Sequence, residues 1–170
     1  MANNIPDKIN DFNVYADGDR LIGIGEEVPL PDIEMLSETV RVPGGEIDSP
    51  TVGQFASSQV EIPFQSLVQD TFDMLNPLKS VNITLRASQQ EMNGSGDIIF
   101  KGIRAVFRGR PKTLSAGSIK KGSGTGTTLS IEWTYYLLEL DGKKVVEIDK
   151  LNSVFKVNGV DILAQTKKLC

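Results

Sequence analysis

Histidine is absent from this chain, and cysteine occurs once, as Cys170. Without histidine the commonest general base and the commonest metal ligand are missing. That excludes zincin, Ser-His-Asp and Cys-His chemistry. A lone cysteine excludes an intrachain disulfide and most cysteine-based metal sites. No apolar run approaches the roughly 18 residues that span a membrane, so no membrane anchor is expected. The N-terminus, MANNIPDKINDF, lacks the basic and apolar regions of a secretory signal, and the expected folding compartment is the cytoplasm. Cations are scarce in the first half. Residues 1–85 hold 4 Lys/Arg and 14 Asp/Glu, a balance of −10, whereas residues 86–170 hold 14 and 8, a balance of +6. A surface whose charges mix on folding accounts for this. So does a subunit whose acidic and basic faces meet those of its neighbours.

What is present reads as β structure. The length of 170 residues suits one domain, large enough to bury roughly 70% of its unfolded surface. The most regular stretch runs from Thr127 to Asp161: a long alternating strand, an Asp141-Gly142 turn, a second strand, and a turn at Asn158-Gly159. Such dipeptides between alternating runs are strong hairpin signals. Earlier, residues 1–12 are polar and read as a flexible arm. Asp17-Gly18-Asp19 suggests a first hairpin, and that turn reading is stronger than a calcium site built from Asp17, Asp19 and Glu26, because the EF-hand spacing is absent. Ile33–Val42 alternates, with Leu36, Val40 and Val42 on one face, and predicts a half-buried strand. Pro43–Ser58 reads as a long irregular loop, of the length that normally binds something. Gln59–Phe64 predicts a strand. Ser66–Asn76 predicts the one helix, with Ser66 as cap, Gln69 as its capping-box partner and Pro77 as the stop. Its stripe would be Phe64, Leu67, Val68, Phe72 and Leu75. Val81–Gln90 alternates cleanly, with Val81, Ile83, Leu85 and Ala87 on the expected buried face. Ile98–Lys112 predicts a long strand with bulge or kink positions at Gly102 and Gly109. Ser115–Gly126 is a Gly/Ser/Lys loop, flexible by composition. Eight to ten strands without βαβ alternation predict a mainly β fold: an antiparallel sandwich or barrel-like domain with one covering α-helix.

The motifs carry little chemistry. Gly122-Ser123-Gly124-Thr125-Gly126 looks like a phosphate loop, but it enters a strand rather than a helix and its spacing fails. Arg108-Gly109-Arg110-Pro111 has the composition of a minor-groove element, yet it ends a strand in an acidic chain. Asn82-Ile83-Thr84 and Asn93-Gly94-Ser95 match the glycosylation pattern without a secretory context. No carboxylate pair is set as a dyad. Alternation places Trp133 with Thr127, Leu129, Ile131, Tyr135 and Leu137 on one face, and Tyr136 on the other with Thr128, Ser130, Glu132 and Thr134. Trp133 then belongs to the core. A carbohydrate-stacking module with Trp133 or Tyr136 exposed is the alternative of a different class.

From Ala105 onward the order of features resembles the major tail tube proteins of contractile-tailed bacteriophages and phage-tail-like bacteriocins. The resemblance rests on Arg108-Gly109, the pair Tyr135-Tyr136, Leu138-Glu139-Leu140-Asp141-Gly142-Lys143, Val146-Glu147-Ile148-Asp149, Asn152, and Val157-Asn158-Gly159-Val160-Asp161 with Leu163. A weaker likeness covers Leu30-Pro31 and Arg41 followed by Gly44-Gly45, Asp48 and Pro50. The resemblance implies a non-enzymatic structural subunit without cofactors or metals. It would form hexameric rings stacked into a tube inside a sheath, each subunit giving strands to an oligomeric β-barrel. The implied partners are further copies of the chain, a tail sheath protein, baseplate or tube-initiator and tail-terminator proteins, and a tape measure protein or DNA in the lumen. The implied location is a virion tail or bacteriocin particle, assembled in the host cytoplasm. Expected subunit contacts are Arg41, Gly44, Gly45, Glu46, Asp48, Pro50 and Phe55, all but Arg41 within a 43–58 loop reaching a neighbour. A tube protein of a type VI-like bacterial injection system is the nearest alternative.

Overall fold

The computed structural model describes residues 4–170. In chain order the elements are β1 (Ile5–Ala16), β2 (Asp19–Arg20), β3 (Met35–Val42), β4 (Gly45–Phe55), β5 (Gln59–Phe64), α1 (Gln69–Asp73), β6 (Val81–Met92), β7 (Ile98–Ser115), β8 (Thr127–Leu140), β9 (Lys143–Asp149), β10 (Val154–Val157), β11 (Val160–Asp161) and α2 (Ala164–Leu169). All strand pairs are antiparallel. Nine strands form one sheet in the order β11-β10-β9-β8-β7-β6-β1-β2, with β5 also paired to β8, while β3 and β4 form a separate ribbon.

Strand β8 is the branch point. One side pairs with β7 throughout. The other side pairs with β5 along Thr127–Glu132 and with β9 along Tyr135–Leu140. The sheet therefore folds over a single core in a sandwich-like manner. Ile62, Ile83, Phe107, Leu129, Ile131, Trp133 and Ile148 are all buried there. The expected mainly β fold is what forms. Two-residue turns at Asp17-Gly18, Asp141-Gly142 and Asn158-Gly159 each hold both residues at positive φ, the left-handed pair that a type I′ hairpin turn requires.

Several expectations are corrected. The polar arm is strand from Ile5 onward: Ile5–Ala16 pairs with β6 along its length, because edge strands tolerate charge where the face is solvated. Residues 1–3 of that expected arm lie outside the described residues. The 43–58 loop is mostly β4, and its turn is only Pro43-Gly44. The helix shrinks to Gln69–Asp73, with Val68 in an extended conformation at its N-cap and no side-chain capping bond, so Ser66 does not cap it. Thr71 and Met74 are its buried residues, whereas Leu67 and Phe72 of the expected stripe are exposed. A second short helix, α2, was not foreseen.

The face assignment on β8 also fails beyond Trp133, for an identifiable reason. Gly109 pairs with Trp133 and Arg108 with Tyr135, leaving Thr134 as an extra residue. The bulge advances the alternation by one, so Tyr136, not Tyr135, joins Trp133 in the core. The two rings lie 5.9 Å apart. The Thr134 hydroxyl donates to the Arg108 carbonyl at 3.2 Å, closing the bulge. Gly109 is the enabling partner, since a Cβ there would collide with the Glu132 carbonyl oxygen and the Trp133 Cα. Gly102, by contrast, sits in regular register with open space around it.

Gly109→Ala is expected to cost about 1–3 kcal/mol, as inserted methyl groups in packed sites do. Gly102→Ala should stay within roughly 0.5 kcal/mol of the wild type. Denaturant midpoints of the two variants check this. Burial also raises the Tyr136 phenol to about 12. The phenol ionises less readily folded than unfolded, so stability present below the ordinary phenol value near 10 is lost as pH rises through about 12. Ultraviolet titration of phenolate should show a late step that shrinks in Tyr136→Phe but persists, because the Tyr135 phenol is also raised to about 12.

Candidate assembly surfaces

The β3–β4 ribbon is the most exposed regular structure in the protein. Every residue from Leu36 to Val52 is exposed to solvent. Its apolar side chains Leu36, Val40, Val42, Ile47 and Val52 are 37–54% exposed. The alternation expected for Ile33–Val42 is therefore real, but its apolar face has no partner within the subunit. The ribbon is held to the body at its base alone. Phe55 packs edge-on against Phe155 at 5.1 Å, the Ala56 amide donates to Glu34, and Lys150 Nζ donates to the Ala56 carbonyl at 3.1 Å. Gly53 stands where a Cβ would meet the Leu163 side chain.

The structure divides the seven expected contact residues. Arg41 and Glu46 face each other near the ribbon tip at 3.1 Å, and the Thr39 hydroxyl donates to Asp48 at 3.0 Å. An ion pair this exposed contributes little stability. Gly44 forms half of the tip, and Gly45 at φ +146 turns the chain back. Pro50 pairs with Ser37 on the exposed strand, where a missing N–H is tolerated. Phe55 is different. It is partly buried against the core, an intrasubunit contact at the ribbon's base.

The motif residues hold the fold. Asp141 and Gly142 form the β8–β9 turn, and the Asp141 amide donates to the Gly102 carbonyl at 2.8 Å. Tyr135 projects outward, donating its hydroxyl to Glu147 at 3.1 Å with the Arg108 guanidinium 4.7 Å from its ring centre. Burial, then the Glu147 hydrogen bond, pushes the Tyr135 phenol up to about 12. Asp149 accepts from the amides of Leu151 and Asn152 and from the Asn152 side chain. Burial pushes its carboxyl up, but these bonds and Arg108 outweigh that and hold it low. Asn158 and Gly159 turn the chain between β10 and β11. Asp161 accepts from the Leu163 amide and pairs with Lys167 at 3.5 Å, tying α2 down.

The decoy motifs resolve similarly. Gly124 lies against the Gln65 carbonyl, and Thr125 donates to that carbonyl at 3.0 Å, so the Gly/Ser loop is strapped to the end of β5. Trp133 is 1% exposed and Tyr136 2%, leaving neither as a stacking platform for sugars. Lys150 Nζ lies 3.8 Å from the Trp133 ring centre, and burial lowers its pKa. Among the described residues no group of acidic or cysteine side chains could hold a metal ion.

Two backbone edges escaped sequence reasoning. Strand β1 pairs with β6 on one side, but on the other only its last residues are engaged: Tyr15 and Ala16 pair with β2, and the Val14 carbonyl accepts from the Leu21 amide. Strand β7 runs past the last β8 pair, Ile103–Leu140, so its Ile98–Lys101 segment is paired only with β6. Both edges lie in one three-stranded extension that exposes Ile5, Ile9, Ile98 and Phe100.

Comparison with known proteins identifies the family. A family model described as phage tail tube protein FII matches residues 6–169. The chain is 28% identical to the tail tube protein of Escherichia phage P2 over 170 residues, covering 96% of each chain. It is 26% identical to the major tail tube protein of Serratia phage KSP20 over 160 residues, covering 93% of this chain and 91% of that protein. Since the family match runs from the start of β1 to the end of α2, this chain belongs to the phage tail tube protein FII family.

Proposed function

We propose that this tail tube protein is the structural subunit of a contractile tail, forming hexameric rings that stack into the conduit inside a sheath. The observation that carries the reading is the β3–β4 ribbon. An isolated two-stranded ribbon is marginal in water, and this one carries five exposed aliphatic side chains. A second copy of the chain supplies the missing layer. The contact set on the ribbon is Arg41, Gly44, Gly45, Glu46, Asp48 and Pro50. Phe55 acts from within as the anchor that fixes the ribbon's angle.

The free edges of β1 and of β7 extend this reading. Subunits that add strands to one another close their sheets into one barrel, which removes edges that would otherwise invite aggregation. The tube then serves DNA passage or membrane puncture. Its partners are the sheath, the baseplate or initiator, the terminator, and a tape measure protein or DNA in the lumen. Its place is the tail of a virion or bacteriocin particle, assembled in the host cytoplasm. The injection-system alternative is weaker, because the relatives named above are phage tail proteins. No step of this role calls for catalysis.

Electron microscopy of the purified chain, with a baseplate seed where needed, should show sixfold rings and tubes. The double variant Arg41→Glu, Asp48→Lys should abolish tubes. Its unfolding midpoint should stay within about 0.5 kcal/mol of the wild type, as surface substitutions usually do. Normal tubes from that variant would remove the ribbon's charged face from the interface.

A further inference from the structure

An apolar groove of about 500 Å³ lies between the unpaired edge of β1 and the 26–30 segment. Leu85 and Ala105 form its buried floor, and Phe12 and Val28 its walls. Its rim is acidic: Asp11, Glu26 and Glu27 line it, are exposed, and are in no ion pair among the described residues. An apolar slot ringed by unneutralised carboxylates calls for an aliphatic side chain flanked by cations.

The chain carries such a group on the loop between β7 and β8. Ile119 is 94% exposed and is followed by Lys120 and Lys121, both exposed and unpaired among the described residues. The loop is fastened at its base. Ser118 donates to the Thr125 carbonyl at 2.9 Å, and Thr127 Oγ1 donates to the Ala116 carbonyl at 3.0 Å. Gly117, at φ +80, lies so close to the Thr125 carbonyl that a Cβ would collide with it. The loop thus presents its tip away from the body.

The two surfaces cannot meet within one subunit. Ala105, in the groove floor, and Leu114, just before the loop, lie on the same strand β7, about 30 Å apart at a rise of roughly 3.3 Å per residue. Unlike surfaces at separated places on one molecule make a heterologous contact, which closes rings or extends filaments.

We propose that Ile119 of one subunit docks in the acidic-rimmed groove of a neighbouring copy, with Lys120 and Lys121 pairing with Asp11, Glu26 and Glu27 of the partner. This rests on the tube reading and adds a second intersubunit contact, independent of the β3–β4 ribbon. It also gives the charge asymmetry of the two halves a place, since the rim comes from the acidic half and the loop from the basic one.

The test is charge exchange in the full chain, followed by tube counting and elongation rates. Lys120→Glu with Lys121→Glu, and separately Glu26→Lys with Glu27→Lys, should slow elongation by roughly tenfold or more, the scale of electrostatic steering. Combining all four reversals should restore it. In a Cys170→Ser background, Leu30→Cys with Ile119→Cys should give, after mild oxidation of assembled tubes, a ladder of disulfide-linked multimers. Unimpaired tubes from the loop reversal, or the absence of a ladder, overturn this contact while the tube reading stands. A wild-type chain that stays monomeric even with a seed overturns both.

Discussion

Everything in this subunit depends on the pairing of β7 with β8. It lies at the centre of the nine-stranded order, and β8 alone belongs to both arms of the branched sheet. That branching requires β8 to change its hand partway along. Over its first half Leu129, Ile131 and Trp133 face the core; over its second half Tyr136 does. A period-2 strand cannot do this without an extra residue. Thr134 is that residue, its hydroxyl closing the bulge, and Gly109 is the only residue type that fits opposite it. One methyl group at Gly109 would thus act on the core, the sheet branch and the orientation of Tyr135 together.

The motif that marks the family in sequence is, in three dimensions, a set of joints. Asp141, Gly142, Asn158 and Gly159 are there for their backbone conformation, Asp149 and Asp161 for the amides they accept, and Glu147 for the Tyr135 hydroxyl. Each holds a turn or a strand end in the β8–β11 region. The surfaces that remain open lie elsewhere: on the β3–β4 ribbon, along β1 and the tip of β6–β7, and in the groove beside Glu26 and Glu27. The motif turns and the proposed assembly surfaces therefore occupy separate parts of one chain, which would let contacts change without unfolding the body.

What the sequence made legible follows the same division. Val81, Ile83 and Leu85 alternate because one face is buried within the subunit, and the Asp-Gly and Asn-Gly turns are dictated by residues that tolerate positive φ. The slip at Thr134 was invisible, since alternation counting carries a face straight through a bulge. Strand β4 read as a loop because Pro50, Gly53 and the Gly44-Gly45 pair break the pattern and neither of its faces is buried in the subunit. Strand β1 read as an arm because Asp7, Lys8, Asn10 and Asp11 left no alternation to detect. The helix was overcalled since Leu67 and Phe72 sit at helical spacing yet remain exposed. Leu36, Val40 and Val42 show the limit most clearly: an exposed aliphatic stripe is written in the same residues as a stripe buried in the core.

A subunit built to polymerise faces a conflict between open edges and solubility. Long, flat, apolar edges pair with strangers, yet tube growth in the proposed assembly needs edges that stay open until the right neighbour arrives. The chain separates these demands by placement of charge. The β3–β4 ribbon interrupts its aliphatic stripe with Glu38, carries Arg41, Glu46 and Asp48 on its opposite face, and blunts one strand with Pro50. On the tip of β6–β7, Lys101 is held to Glu91 at 2.8 Å, so the edge carries a charged side chain fixed in place beside Phe100. The net charge of −4 keeps free subunits mutually repulsive. In the proposed assembly the acidic groove rim and the Lys120-Lys121 loop attract only when unlike surfaces meet, which would select head-to-tail contact, an arrangement that can keep growing.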